Sequence, residues 1–253
     1  MLYFIGAGPG AVDLITMKGH NLLTKADVVI YAGSLVNPEL LNYTKESCVH
    51  YNSAHMTLEE VVDVIVKSEQ DNKLTVRLHT GDPSIYGAIR EQIDLLKNYN
   101  IKYEVVPGVS SFFGAAASLG AEYTLPGISQ SVIITRMEGR TPVPERESIR
   151  SFAEHKATMV LFLSSSLTEK LAKELVEGGY EPNTPVAVVY KATWPDEKIY
   201  RCTIETLHKT MTENNVTKTA LILVGNFLGN EYERSELYNP NFTHEYRVGK
   251  TNE

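Results

Sequence analysis

The stretch Arg77-Leu-His-Thr-Gly-Asp-Pro-Ser-Ile-Tyr-Gly87 decides how the chain is read, because an apolar run starting at Leu74 ends there in a turn of small residues. Asp82 is a favoured helix N-cap, and Pro83 suits the first helical position, where a missing N–H costs nothing. Ile85, Ile89, Ile93 and Leu96 then recur at helical spacing, which predicts a helix running on directly from the turn. In an α/β sheet such a turn lies at the carboxyl edge of a strand, where ligands bind, and Gly81 lets a ligand approach the backbone closely. Two readings of Asp82 stay open here: a cap alone, or a cap on a turn that also faces a ligand.

The same strand–turn–helix unit recurs through the first half. Met1 to Ile5 runs into Gly6-Ala-Gly-Pro-Gly10, and Val28 to Tyr31 forms a strand followed by a loop over Gly33 to Pro38. Thr16 caps a short helix, and Thr57-Leu-Glu-Glu60 has capping-box spacing ahead of the apolar stripe Leu58, Val61, Val62 and Ile65. Tyr103 to Val106 is a strand ended by Pro107-Gly108, with Ser110 and Ser111 as helix caps. The helix they open contains Gly114-Ala-Ala-Ala-Ser118, so its axis can pack close to a neighbour, and Gly120 ends it. Thr124-Leu-Pro-Gly127 marks a join between a first α/β domain over 1–124 and a second over 125–230.

In the second domain, strands are expected at Val132 to Thr135, Thr158 to Leu163, Val186 to Tyr190 and Ala220 to Val224. Lys198 to Cys202 reads as a strand antiparallel to its predecessor, and helices are expected over Leu167 to Val176 and Thr203 to Met211. The prolines between Arg136 and Glu147 exclude a regular helix. Residues 231–253 read as a polar C-terminal arm.

A chain of 253 residues with 43% hydrophobic and 22% charged content sustains one large core or two modest ones. The formal net charge of -7 argues against nucleic acid as a partner, since that binding rests on a basic face. Cys48 and Cys202 match neither a zinc spacing nor a disulfide framework, which fits a reducing cytoplasm. No apolar run approaches the roughly 20 residues that span a bilayer, and the amino terminus lacks the basic leader of a signal peptide. The expectation is a cytoplasmic protein with no membrane partner.

Gly6-x-Gly8-x-x-Ala11 after a strand satisfies a dinucleotide fingerprint, but the next strand ends in Tyr31-Ala32 without the acidic residue that binds ribose. Pro9 also removes an N–H from a loop whose usual task is donating to phosphate, so a nicotinamide-dependent oxidoreductase is a minor alternative. His50 and His55, five apart in an expected loop, lack paired carboxylates, and no protein-bound metal is expected. Ser164-Ser-Ser166 lacks the Gly-x-Ser-x-Gly elbow of serine hydrolases. What recurs instead is small or backbone-permissive residues at five strand ends: Gly8-Pro9, Gly81-Asp82, Ser110-Ser111, Leu163-Ser164 and Ala192-Thr193. Converging, they would make a pocket read through main-chain groups and suited to a bulky neutral nucleoside.

Ile5-Gly-Ala-Gly-Pro-Gly10, His79 to Gly87, Val106-Pro-Gly-Val-Ser-Ser111 and Thr219-Ala-Leu-Ile-Leu-Val-Gly225 together resemble the tetrapyrrole methylases, class III methyltransferases. The likeness extends through about Phe227, and Leu125 to Gln130, Ile134 to Glu145 and Val189 to Glu197 narrow it to the corrin branch. It implies two α/β domains with an active-site cleft between them, a homodimer, a small-molecule tetrapyrrole substrate and S-adenosylmethionine as methyl donor. The donor would touch Pro9, Thr80, Gly81, Asp82, Ile85, Ser110, Ser111, Leu163, Ala192 and Ala220. A member acting on another macrocycle carbon, or on diphthine, is the alternative within the family.

Such a substrate carries many carboxylates, which an acidic chain repels unless cations gather at the site. Arg77, Arg136, Arg140 and Lys191 are the candidates, with Tyr86, Tyr190 and Trp194 to flank a flat ring. The competing expectation pairs Arg140, Arg146 and Arg150 with Glu138, Glu145, Glu147 and Glu154 at a solvated surface. No catalytic base is assigned.

Overall fold

A computed structural model describes residues 1–250, which divide into two compact units. The first comprises Met1–Ser118 with Lys191–Glu197, and the second comprises Leu119–Tyr190 with the chain from Lys198 onward.

In the first unit β1 (Leu2–Gly6), α1 (Met17–Leu23), β2 (Val28–Tyr31), β3 (Val49–Asn52), α2 (Leu58–Gln70), β4 (Thr75–His79), α3 (Ile89–Lys97), β5 (Tyr103–Val106) and α4 (Ser111–Leu119) follow in order. The five strands form a wholly parallel sheet in the order β3-β2-β4-β1-β5. The central strands are buried on both faces, as a sheet covered on both sides requires, although one face of β4 carries Thr75, Arg77 and His79. Ile5, Val29, Val76 and Leu78 pack on the side of α1, while Leu2, Phe4 and Ile30 pack with Val62, Ile65 and Leu96 of α2 and α3. The capping box of α2 forms as its spacing predicts: Thr57 Oγ1 accepts from Glu60 N–H, and the Glu60 carboxylate accepts from Thr57 N–H.

Two local expectations are corrected here. No helix runs on from Asp82, because Tyr86 (φ 55°) and Ala88 (φ 49°) adopt left-handed backbone that interrupts a helix, and α3 begins only at Ile89. Asp82 closes a local turn instead, its carboxylate accepting from Ser84 N–H at 2.8 Å. His50 lies in β3, an edge strand with no buried residue and therefore no alternation to betray it; its Nε2 is 2.9 Å from Thr44 Oγ1. The close packing expected of α4 is realised at Gly114, where a Cβ would sit 2.8 Å from Pro9 Cβ and 3.0 Å from Thr193 Cγ2.

The second unit carries β6 (Val132–Arg136), α5 (Ile149–Ala153), β7 (Thr158–Phe162), α6 (Thr168–Glu177), β8 (Pro185–Tyr190), β9 (Lys198–Thr203), α7 (Leu207–Glu213) and β10 (Ala220–Val224). Its mixed sheet has the order β6-β7-β10-β8-β9, with β6 parallel to β7 and the other neighbours antiparallel. Residues of all three helices join one core with Met159, Leu161, Val186, Val188 and Ile222. Helix α5 has no counterpart in the sequence reading, because five residues capped by Ser148 are too short to show a period. No helix among the described residues is long and apolar enough to cross a membrane.

Candidate functional site

At the carboxyl edge of the first sheet, the loops leaving β1, β4 and β5 meet backbone to backbone. Ala7 N–H donates to the His79 carbonyl at 2.7 Å, Gly81 N–H to the Gly8 carbonyl at 2.9 Å, and Gly8 N–H to the Gly81 carbonyl at 3.3 Å. This proximity dictates glycine: a Cβ on Gly6 would lie 2.5 Å from Gly108 Cα, and one on Gly108 would lie 2.1 Å from the Gly81 oxygen. Gly81 itself (φ 61°) rests on Ser110, whose Cα would be 3.3 Å from an added Cβ.

Asp82 fastens the β4 loop to the β5 loop. Its Oδ2 accepts from Gly108 N–H at 2.8 Å, and its Oδ1 accepts from Ser84 N–H at 2.8 Å and Ser84 Oγ at 2.5 Å. Partial burial pushes the Asp82 carboxyl up, but these hydrogen bonds outweigh burial and hold it below the ordinary aspartate value. Beside it, the Thr80 Oγ1 is buried without a hydrogen-bond partner, as is Nε2 of His79. The first unit thus brings together Pro9, Thr80, Gly81, Asp82, Ser110 and Ser111. Ile85 stays with them through its N–H, which donates to the Asp82 carbonyl at 3.3 Å.

Ala192 joins the same unit through the segment Lys191–Glu197. There the Trp194 indole lies on Gly10, where an added Cβ would be 2.0 Å from the ring, and Thr193 Oγ1 accepts from Ala11 N–H at 3.0 Å. Leu163 and Ala220 belong to the second unit. β7 and β8 run the same way, so their carboxyl ends share an edge with the start of β10, where Ala220 pairs with Tyr190. Ser165 Oγ donates to the Ala220 carbonyl at 3.1 Å, and Leu163 (φ 51°) is exposed just beyond β7.

The proposed substrate cations are not equivalent. Arg77 is buried, donating from Nε to Gln92 Oε1 and from Nη1 to the Ile30 carbonyl, each at 3.2 Å; burial lowers its pKa to about 10. It joins β4 to α3 and β2 from within the first unit. Arg136 donates to the carbonyls of Met137, Thr141 and Pro142, so it shapes the loop that carries Arg140. Arg140 is exposed and makes no ion pair among the described residues. Lys191 is 2.6 Å from Asp196 and 5.2 Å above the Trp194 ring, while Tyr86 is exposed on its turn. Arg146 does pair with Glu147, at 3.6 Å, but Arg150 pairs with Glu177, at 3.3 Å. Tyr190 packs on the second core, and Trp194 is taken up by Gly10.

Arg136 also lines a cavity of about 220 Å³ with Glu138, Glu145, Lys170 and Glu174; of these, Lys170 and Glu174 gave no signal in the sequence. Its mixed charge does not suit a polycarboxylate. Among the described residues no cluster of three or more His, Cys, Asp or Glu could hold a metal ion.

His79 makes this edge sensitive to acid. Burial, then the nearby Arg77 charge, lowers its pKa to about 3, so the folded chain refuses a proton that the unfolded chain accepts below about pH 6.5. The stability contributed by neutral His79 is complete above that value and falls as the pH drops toward the folded pKa. Between pH 6.5 and pH 5 we expect a loss of about 2 kcal/mol from this group. Urea unfolding of the wild type and His79→Gln at both pH values checks it; equal pH slopes for the two proteins contradict it.

A glycine-laced edge on a parallel sheet, joined to a second unit built on a mixed sheet, defines a class. The chain belongs to the Tetrapyrrole (Corrin/Porphyrin) Methylases, a family that matches residues 1–208. The resemblance carried by the strand-end motifs is thereby borne out, as is the two-sheet α/β fold. The chain is 57% identical over 244 residues to the cobalt-precorrin-4 C(11)-methyltransferase of Methanocaldococcus jannaschii, covering 96% of this chain and 94% of that protein. Among solved structures it is similar to a cobalamin biosynthetic enzyme, cobalt precorrin-4 methyltransferase, with a TM-score of 0.89, 52% identity and coverage of 90% and 96%. It is also similar to uroporphyrin-III C-methyl transferase from Thermus thermophilus complexed with S-adenyl homocysteine, with a TM-score of 0.75, 27% identity and coverage of 90% and 92%.

Proposed function

We propose that this protein transfers a methyl group from S-adenosylmethionine to C11 of the precorrin-4 macrocycle, free or carrying cobalt, in cobalamin biosynthesis. The observation that carries this is the 57% identity, over nearly the full length of both chains, to a methyltransferase of that specificity. The methyl donor is supported by the S-adenyl homocysteine in the Thermus relative and by the chemistry of the strand-end loops. Small residues there leave main-chain groups open, the Asp82 carboxyl is held ionised, and the buried Thr80 hydroxyl lacks a protein partner. Such a set fits a nucleoside with hydroxyl and ammonium groups better than it fits a phosphate.

Pro9, Thr80, Gly81, Asp82, Ile85, Ser110, Ser111 and Ala192 are the residues of the first unit that would hold the donor, with Leu163 and Ala220 from the second. When bound, S-adenosylmethionine supplies an electrophilic methyl group for in-line displacement by a nucleophilic ring carbon. The chain contributes binding, orientation and exclusion of water, and positioning of this kind supplies several kcal/mol. Arg140 and Tyr86 are the exposed side chains best placed to meet the substrate, and Arg136 fixes the loop beneath Arg140. Any cobalt belongs to the macrocycle. From the family resemblance we also infer a homodimer, and from the net charge, the two cysteines and the lack of a long apolar run a cytoplasmic protein with no nucleic-acid or membrane partner.

The test offers metal-free and cobalt-bound precorrin-4 with S-adenosylmethionine and reads product mass and methyl position. A new methyl at C11 with either substrate is expected. Methylation at another carbon, or no S-adenosylhomocysteine from either substrate, overturns the assignment.

A further inference from the structure

We propose that Glu197 is a positioning residue for the methyl donor, its carboxylate holding the Lys191–Glu197 segment in the conformation that sets the Ala192 main chain beside the Gly10–Ala11 loop. This rests on the donor-binding reading above. Ala192 lies between two non-glycine residues in left-handed backbone, Lys191 (φ 49°) and Thr193 (φ 67°). A β-branched residue such as Thr193 is disfavoured there, so the turn needs external support.

Glu197 supplies it through one oxygen. Its Oε2 accepts from Thr193 N–H at 2.5 Å and from Ser118 Oγ, at the end of α4, at 2.6 Å. Thr193 then engages two further elements, its Oγ1 accepting from Ala11 N–H of the first glycine-rich loop and its Cγ2 lying against Gly114 of α4. Trp194 completes the contact by covering Gly10, and the carbonyl of Ala192 faces that same glycine, 2.8 Å from where a Cβ would be. A single carboxylate oxygen therefore couples a strained turn, the end of α4 and, through Thr193, the first glycine-rich loop. Without it the Thr193 N–H loses a charge-assisted bond and the turn relaxes toward ordinary backbone.

The arrangement carries its own reporter, because Trp194 is the one tryptophan in the chain. Calorimetric titration with S-adenosylhomocysteine and Trp194 emission are measured on wild type, Glu197→Ala and Glu197→Gln. Glu197→Ala should bind about tenfold more weakly, with Trp194 emission shifted to the red. Glu197→Gln keeps an amide oxygen able to accept both hydrogen bonds and should return to within about threefold of wild type with normal emission. Should Glu197→Ala not fold, Ser118→Ala removes one of the two donors and should weaken binding about threefold.

Wild-type affinity in Glu197→Ala with displaced Trp194, or failure of the glutamine variant to restore binding, overturns the proposal. For Ser118→Ala, unchanged affinity does the same. If wild type itself does not bind S-adenosylhomocysteine, it is the donor assignment that fails.

Discussion

Gly108→Ala is expected to abolish measurable donor binding and to destabilise the first unit by about 3 kcal/mol. The added methyl would meet the Gly81 oxygen at 2.1 Å and Gly6 Cα at 2.7 Å. None of these is the movable end of a side chain, so the clash is relieved only by pushing the β5 loop away from β1 and β4. That shift also withdraws Gly108 N–H from Asp82, undoing the bond that closes the edge. Gly120→Ala is the contrast: nothing lies within 4 Å of its Cβ position, and only its φ of 61° is unfavourable. It should cost about 1 kcal/mol and leave donor affinity alone. Urea unfolding and titration with S-adenosylhomocysteine read both effects, and wild-type stability in Gly108→Ala would contradict the apposition of the three loops.

Asp82→Ala should weaken donor binding at least tenfold and cost about 2 kcal/mol of stability, since it leaves Gly108 N–H and Ser84 N–H without their acceptor. Asp82→Asn separates this from simple turn capping. Asparagine can still accept from Ser84 through its carbonyl, but its amide then faces Gly108 N–H, donor against donor. The asparagine variant should therefore bind the donor nearly as poorly as alanine, whereas a residue that only closed the local turn would tolerate it. The pH dependence has a defined sign. Hydrogen bonds hold the folded Asp82 carboxyl below its unfolded value, so its contribution is complete above the ordinary aspartate range and is lost as pH falls through the lowered value.

The strands and their glycine-rich ends are legible in the sequence because a sheet covered on both faces needs apolar runs, and close backbone approach needs residues without bulk. The turn after Asp82 is not legible because Ile85 keeps helical spacing with Ile89, and periodicity cannot show that Tyr86 and Ala88 take left-handed backbone between them. Arg77 misled for a different reason. Its charge drew it toward a ligand, although its place between Val76 and Leu78 inside a parallel strand already implied burial. Arg136 turns to carbonyls of its own loop and Glu197 to Ser118, 79 positions away, and no local pattern announces such partners. The family motifs named the loops; they did not say how one carboxylate on each side fastens them.

The segment Lys191–Glu197 belongs to the first unit although the second unit supplies the chain on either side of it. During synthesis, the first 118 residues therefore leave the ribosome before the piece that covers Gly10 exists. The parallel sheet has its strands by then, but Gly10 and the Ala11 N–H wait for Trp194 and Thr193. Completion of this edge is a late, long-range closure, the kind of contact that slows folding. A chain halted between Ser118 and Lys191 would carry the glycine-rich loops and still lack their cover.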